Sequence, residues 1–137
     1  MRNLLISAES AASTTSSQGV IEALYATGHW LFGLSRYADA AAVFRTMVRV
    51  APRDERSWLA LAYCHQAVDQ DVIALEMLGT GRVVAAPAAR CELARARALR
   101  ALGRSDEADE ALDYAAEAAE LTENDEIAAA VRAERRT

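Results

Sequence analysis

Apolar residues recur along this chain at the spacing of amphipathic helices, in segments separated by short polar breaks. Ala40, Val43, Phe44 and Met47, for example, follow the i, i+3, i+4, i+7 pattern that places side chains on one face of a helix. Pro52 closes one such segment, because proline cannot continue a helix. The pattern predicts three helix pairs and a last helix, over residues 20–33 and 37–50, 54–67 and 71–84, 88–102 and 105–121, and 125–136.

The helix pairs repeat every 34 residues without a gap; the aligned sets are Leu24, Trp58 and Glu92; Gly28, Ala62 and Ala96; Ala40, Ala74 and Ala108; and Phe44, Leu78 and Leu112. This period is typical of tetratricopeptide repeats, in which small residues let two helix axes approach to about 8–10 Å. One hairpin cannot bury its apolar face alone, so neighbouring copies must stack. The sequence therefore predicts an all-α fold of three tetratricopeptide helix–turn–helix repeats, forming a right-handed superhelix with a C-terminal capping helix.

Residues 1–19 differ in composition from the rest of the chain. They contain few large apolar residues and a Ser/Thr cluster at 13–17, so we expect a flexible leader with one short helical turn over 3–8. The alternative is a small arm for dimerisation or for contact with a partner. The predicted domains are this leader, 1–19, and a tetratricopeptide-repeat domain, 20–137.

Several turn and core positions can be assigned within the repeats. Ser35 is predicted to cap the amino end of the second helix, and Gly103 to end the fifth. Gly79 and Gly81 would each weaken the fourth helix by about 1 kcal/mol relative to Ala, unless they admit a close neighbour. The predicted core faces of the middle repeat are Trp58, Leu61, Ala62 and His65 on its first helix, and Ile73, Ala74, Met77 and Leu78 on its second.

The charge of the chain bounds its partners. Its 15 basic residues, all arginine, stand against 20 acidic ones, and a net charge of −5 argues against a nucleic-acid partner. The apolar run at 4–6 is too short for a signal peptide, and no stretch reaches the roughly 18 apolar residues of a membrane span. We therefore expect a soluble, cytoplasmic protein in which Cys64 and Cys91 are free thiols.

The first helices of tetratricopeptide repeats line a concave wall, and four positions of each repeat point into it. In this chain those positions are rich in aromatic residues and arginine, which are the usual anchors of a binding surface. We therefore predict a groove for an extended, partly apolar peptide; the alternative is that Tyr25, Phe32 and Tyr63 close an ordinary helical core. The predicted groove residues are Tyr25, His29, Phe32, Arg56, Leu59, Tyr63, Gln66, Arg90, Leu93, Arg97 and Arg100.

Two other functions are disfavoured. A clamp for the charged C-terminal tails of heat-shock chaperones uses Lys and Asn at groove positions where this chain has Tyr25, His29 and Ala60. Cys64 and His65 are adjacent on one helix, so their side chains point about 100° apart, and no zinc spacing is present. The sequence predicts a protein that is not an enzyme, has no metal or cofactor, and binds neither nucleic acid nor membrane.

Several short motifs resemble the class II type III secretion chaperones. In that family the first repeat reads approximately L-Y, G-K-Y-x-D-A and V-F, and the second reads D-S-R, F-x-L-G-L, C and Q-A. The corresponding segments of this chain are 24–25, 35–40 and 43–44, then 54–56, 58–61, Cys64 and 66–67, with a looser match at 103–108 and 118–121. The resemblance covers about 24–127, and Glu92 departs from it by replacing an aromatic or apolar residue.

This resemblance implies a bacterial cytoplasmic chaperone that holds a hydrophobic translocator subunit before export, as an extended segment with spaced Pro and Leu anchors. Carried over, Tyr25, Phe32, Leu59, Tyr63 and Leu93 would form the anchor pockets. It also implies a homodimer or a complex with a second chaperone. Two alternatives stay open: a chaperone of a needle or export-apparatus subunit of the same system, and a general tetratricopeptide scaffold that binds folded partners.

Overall fold

The computed structural model describes the backbone of residues 2–137 and the side chains of residues 17–137. Over that part of the chain the fold is all-α, as predicted, with seven helices and no strand. Three helix hairpins follow one another, and a seventh helix packs after them as the predicted C-terminal cap. The helices are α1 (Arg2–Gly33), α2 (Tyr37–Val50), α3 (Glu55–Ala67), α4 (Asp71–Val84), α5 (Ala89–Ala101), α6 (Ser105–Leu121) and α7 (Asp125–Arg135).

The bounds of α2 to α7 lie within one residue of the prediction, whereas α1 begins at Arg2 rather than near residue 20. The first helix is therefore much longer than the pattern of apolar residues indicated, and it runs through the segment predicted as a leader with one short turn. The side chains of residues 1–16 lie outside the described part of the structure. The division into a leader, 1–19, and a repeat domain, 20–137, stays a prediction.

The turn inside each hairpin uses one residue with a left-handed backbone. These residues are Ser35 (φ 61°), Asp69 (φ 61°) and Gly103 (φ 75°), and they lie 34 positions apart. The residue after each of them donates its backbone N–H to a carbonyl five positions earlier, as in a Schellman motif. Gly103 thus ends its helix as predicted, but Ser35 does not cap α2; Arg36 holds the N-cap position and makes no side-chain capping bond.

Two glycines allow an aromatic ring to approach a helix backbone. A Cβ on Gly28 would lie 2.5 Å from the Phe44 ring, and one on Gly81 would lie 2.6 Å from Trp58 Cβ. Gly81 therefore admits a close neighbour, whereas Gly79 in the same helix faces open space. The two positions share a residue type but have opposite roles in packing.

The core of the middle repeat differs from the prediction at two positions. Ala74 and Leu78 are fully buried, but Ile73 is 39% exposed, because it lies one residue, or about 100°, away from the face that packs. His65 is only half-buried at the end of α3. Its Nδ1 lies 2.7 Å from Gln70 Oε1, so the ring makes a hydrogen bond at the end of the helix and does not hold the predicted core position.

A carboxylate from one repeat caps a helix of the next. The N-cap residue of α5, Ala88, has no side-chain acceptor, and Glu55 Oε1 on α3 accepts the Cys91 backbone N–H at 2.8 Å instead. The pKa of Glu55 is raised, because the effect of burial exceeds the opposing effect of the hydrogen bonds from the Cys91 and Arg90 backbone. Glu55 therefore links two repeats through the amino end of α5.

In the described part of the chain, no helix has both the length and the apolar character needed to cross a bilayer.

We predict opposite effects of the same substitution at two glycines of α4. Gly79→Ala should raise the free energy of unfolding by about 0.5–1 kcal/mol, because alanine favours the helix and meets no atom. Gly81→Ala should lower it by about 1–3 kcal/mol, because its methyl group overlaps Trp58. Urea unfolding followed by circular dichroism measures both changes. An equal stabilisation by the two variants would contradict the packing of Trp58 on Gly81.

We also predict that α5 depends on Glu55 for its amino-terminal cap. Glu55→Ala should lower the free energy of unfolding by about 1–2 kcal/mol, and Glu55→Gln, which keeps an acceptor oxygen, should lower it less. Glu117→Ala, at an exposed position of α6, is the control in the same urea experiment. Equal stability of the Glu55→Ala and Glu117→Ala variants would rule out the cap.

Candidate functional site

An open groove of about 330 Å³ runs across the first helices of the three repeats, and it contains seven of the predicted groove residues. They come from α1, α3 and α5, which the 34-residue period places side by side. Two further lining residues, Phe44 and Ala60, were not in the predicted set. The full lining is Tyr25, His29, Phe32, Phe44, Arg56, Leu59, Ala60, Tyr63 and Arg90.

The floor of the groove depends on Gly28. Phe44 belongs to α2, a second helix of a repeat, and the pattern predicted it only as core; its ring reaches the groove because Gly28 has no side chain. The rings of Phe44 and Tyr25 are tilted, with centroids 6.4 Å apart. The signal in the sequence was the glycine itself, which stands where the other repeats have Ala62 and Ala96.

The aromatic residues of α1 serve the groove and the core together. Tyr25 and Phe32 are half-buried and pack against the core of the first repeat, which contains Phe44 and Met47, yet both line the groove. The His29 ring stacks on the Tyr25 ring, with the two ring centroids 6.1 Å apart. Tyr63 is 46% exposed, and partial burial raises the pKa of its hydroxyl. Tyr25 and Phe32 therefore contribute both to the core and to the lining of the cleft; their role in binding a peptide stays a prediction.

Arg56 is fixed and neutralised by two carboxylates. Its Nη2 lies 2.7 Å from Glu22 Oε1 and 2.7 Å from Asp54 Oδ2, and its guanidinium carbon lies 4.8 Å from the centre of the Tyr25 ring. These contacts raise the pKa of Arg56 and lower the pKa values of Glu22 and Asp54. Arg56 therefore joins α1 to α3 and has little charge left for a partner.

The structure does not place the other four predicted residues in the groove. Leu93 is 4% exposed and lies in the core of the third repeat, together with Leu99 and Leu112. Gln66 is half-buried and lies outside the lining. Arg97 and Arg100 lie 2.6 and 2.8 Å from the carboxylate of Glu134 on α7. Because α7 packs against α5 and α6, both arginines are paired with a carboxylate of the neighbouring helix, although the Arg97 side chain stays 54% exposed.

The two thiols of residues 17–137 lie in apolar surroundings. Burial raises the pKa of Cys64 to about 11, and burial also raises the pKa of Cys91. Both thiols are free and buried, so neither matches the exposed, low-pKa environment of a reactive cysteine. Residues 17–137 contain no group of three His, Cys, Asp or Glu side chains that could hold a metal ion.

Three stacked hairpins with a groove along their first helices define a helical-repeat protein of the tetratricopeptide type. No protein-family model matches the chain, and no curated protein matches it either. Solved structures that resemble it are translocator chaperones of type III secretion, so the resemblance found in the sequence motifs is confirmed.

SycD of Yersinia enterocolitica is 26% identical, with a TM-score of 0.77, and the match covers 90% of this chain and 93% of SycD. The same protein in complex with a peptide of the translocator YopD is 25% identical over 83% of this chain and 93% of that one, with a TM-score of 0.64. PcrH of Pseudomonas aeruginosa, in complex with the chaperone-binding region of PopD, has a TM-score of 0.73. It is 24% identical over 85% of this chain and 89% of PcrH.

We predict that the Arg56 cluster stabilises the fold in a pH-dependent way. The folded-state pKa values of Glu22 and Asp54 are lowered, so their contribution is complete above the ordinary carboxyl pKa of about 4 and is lost as the pH falls through the lowered values. The free energy of unfolding in urea should therefore be lower for Arg56→Gln than for wild type at pH 7, and this difference should narrow towards pH about 2.

The control is Arg36→Gln, which removes an exposed pair with Asp39 within one helix end. This substitution should lower the free energy of unfolding less at pH 7, because the pair between Arg36 and Asp39 does not join two repeats. A difference between wild type and Arg56→Gln that stays constant with pH would contradict the role of the two carboxylates.

Proposed function

We propose that this chain is a cytoplasmic chaperone of a bacterial type III secretion system. In this proposal it holds an extended, apolar segment of a translocator subunit in the groove that contains Tyr25, Phe32, Leu59 and Tyr63. The observation that carries the proposal is the convergence of seven predicted residues on one open groove, in a fold shared with chaperones solved together with translocator peptides.

The lining of the groove favours an unfolded segment over a folded domain. The aromatic rings and Leu59 lie in a cleft between α1 and α3, and a single side chain can enter it while a flat protein surface cannot. The volume of about 330 Å³ is at the lower end of ordinary ligand pockets. Such a cleft suits one or two apolar side chains of a chain in extended conformation.

Binding rather than catalysis fits the chemistry of the groove. Its polar groups are a neutralised arginine, a stacked imidazole, two phenols and Arg90, and neither cysteine lines it. We propose a non-enzymatic protein whose partner is a secreted protein. Self-association is a further proposal, supported by the solved SycD structure described as an alternative dimer and by the exposed side chains of Val20, Trp30 and Leu34 on α1.

A test uses the full chain, co-expressed with the hydrophobic translocator subunit of its own secretion system. Wild type should keep the translocator soluble and co-purify with it. Phe32→Ala and Tyr63→Ala should each weaken the complex about tenfold or more, because each removes an aromatic anchor. Affinity is measured with a labelled, unfolded segment of the translocator.

The matched control is Tyr114→Ala, because Tyr114 is 40% exposed on α6, outside the groove lining. Circular dichroism verifies that all variants stay helical. Unchanged affinity of Phe32→Ala and Tyr63→Ala would refute the groove. Binding of a folded partner without binding of any unfolded segment would favour a general tetratricopeptide scaffold. Binding only of a needle or export-apparatus subunit would favour a chaperone of that subunit.

A further inference from the structure

We propose that the segment held in the groove carries an aspartate or glutamate whose side chain pairs with Arg90, about three residues from its apolar anchor. The inference rests on the proposed function and adds the chemistry of the bound segment to it. It follows from the position of Arg90 among the charges of the groove.

Arg90 is the second arginine of the groove lining, and it differs from the first in having no carboxylate partner. Arg56, 34 residues earlier, contacts both Glu22 and Asp54. Within residues 17–137, no carboxylate oxygen lies within 4.0 Å of the guanidinium nitrogens of Arg90. Arg90 is exposed and lines the groove at its third-repeat end.

The repeat explains why Arg90 is left over. The equivalent positions of successive repeats are Glu22, Arg56, Arg90 and Asn124, and the first two pair with each other. The next neighbour of Arg90 in this row is neutral, and Asn124 Oδ1 already accepts the Ile127 backbone N–H at 3.1 Å. Arg90 therefore has no acidic side chain at the equivalent position of the next helix.

Two acidic residues on neighbouring helices, Glu55 and Glu134, already have other partners. Glu55 accepts backbone N–H groups at the start of α5. Glu134 pairs with Arg97 and Arg100. A segment lying in the groove would cover Arg90 and remove water from it. A covered charge without a partner disfavours binding, whereas a complementary carboxylate gives specificity.

The separation along the segment follows from helix packing. Leu59 lies on α3 and Arg90 on α5, the next first helix, and packed helix axes lie about 8–10 Å apart. An extended chain advances about 3.3 Å per residue, so about three residues span that distance. A C-terminal carboxylate is the other source of the same charge, but Arg56, the second cation that would share it, is already neutralised.

The test measures binding of short, end-capped peptides to the full chain by fluorescence polarisation. Each peptide has one leucine and one aspartate about three residues apart, in either order, and a matched peptide has asparagine in place of aspartate. The better-binding aspartate peptide should bind about threefold to tenfold more tightly than its asparagine partner. The ratio of the two affinities should approach one in the Arg90→Gln variant and should shrink in high salt. The control is Arg49→Gln, at an exposed position of α2, in which the ratio should persist.

Each other outcome has a definite meaning. Equal binding of the aspartate and asparagine peptides to wild type overturns this inference and leaves the proposed groove intact. A preference for aspartate that persists in Arg90→Gln overturns the assignment to Arg90. An asparagine peptide with a free C-terminal carboxylate that matches the aspartate peptide overturns the side-chain source. Failure of every peptide to bind refutes the proposed function itself.

Discussion

The register between neighbouring first helices is the constraint on which the rest of this structure depends. Arg56 contacts Glu22 and Arg100 contacts Glu134, each across 34 residues, and Cys91 donates to Glu55 across 36. These contacts join nearly equivalent positions of adjacent repeats. A slip of one residue in α3 would break the Arg56 cluster and turn Tyr63 by about 100°, away from Tyr25. The groove exists only while the register holds.

The second and third repeats pack differently at one equivalent position. In the second repeat, Trp58 packs its ring on Gly81; in the third, Glu92 holds the same position and is 5% exposed. Burial raises the pKa of Glu92, and its Oε1 accepts from Arg82, while Oε2 has no hydrogen-bond partner. An unsatisfied buried oxygen costs on the order of 1–3 kcal/mol. The third repeat therefore relies on an ion pair where the second relies on an aromatic ring.

The sequence was a sound guide to the bounds of α2 to α7 and to six residues of the first two repeats that line the cleft, because both follow from periodicity. It was wrong about Gln66, which lies at the end of α3 and outside the lining. It was a poor guide to Leu93, Arg97 and Arg100, because their surroundings depend on α7. The pattern identified α7 as a cap but could not show that Glu134 would reach back to α5. It also assigned Ser35 from its residue type, whereas alignment with Gly103, 68 residues or two repeats further on, would have indicated the left-handed turn.

The extent of the lining sets the length of chain that the proposed groove can hold. The lining extends from α1 across α3 to the start of α5, and two interhelical steps of about 8–10 Å make roughly 20 Å. An extended chain covers that distance in about six residues. Few side chains can then be buried, so affinity must come from a small number of well-placed anchors rather than from a long contact. Specificity for one client over other apolar segments must come from the polar group at the end of that short stretch, and Arg90 stands there.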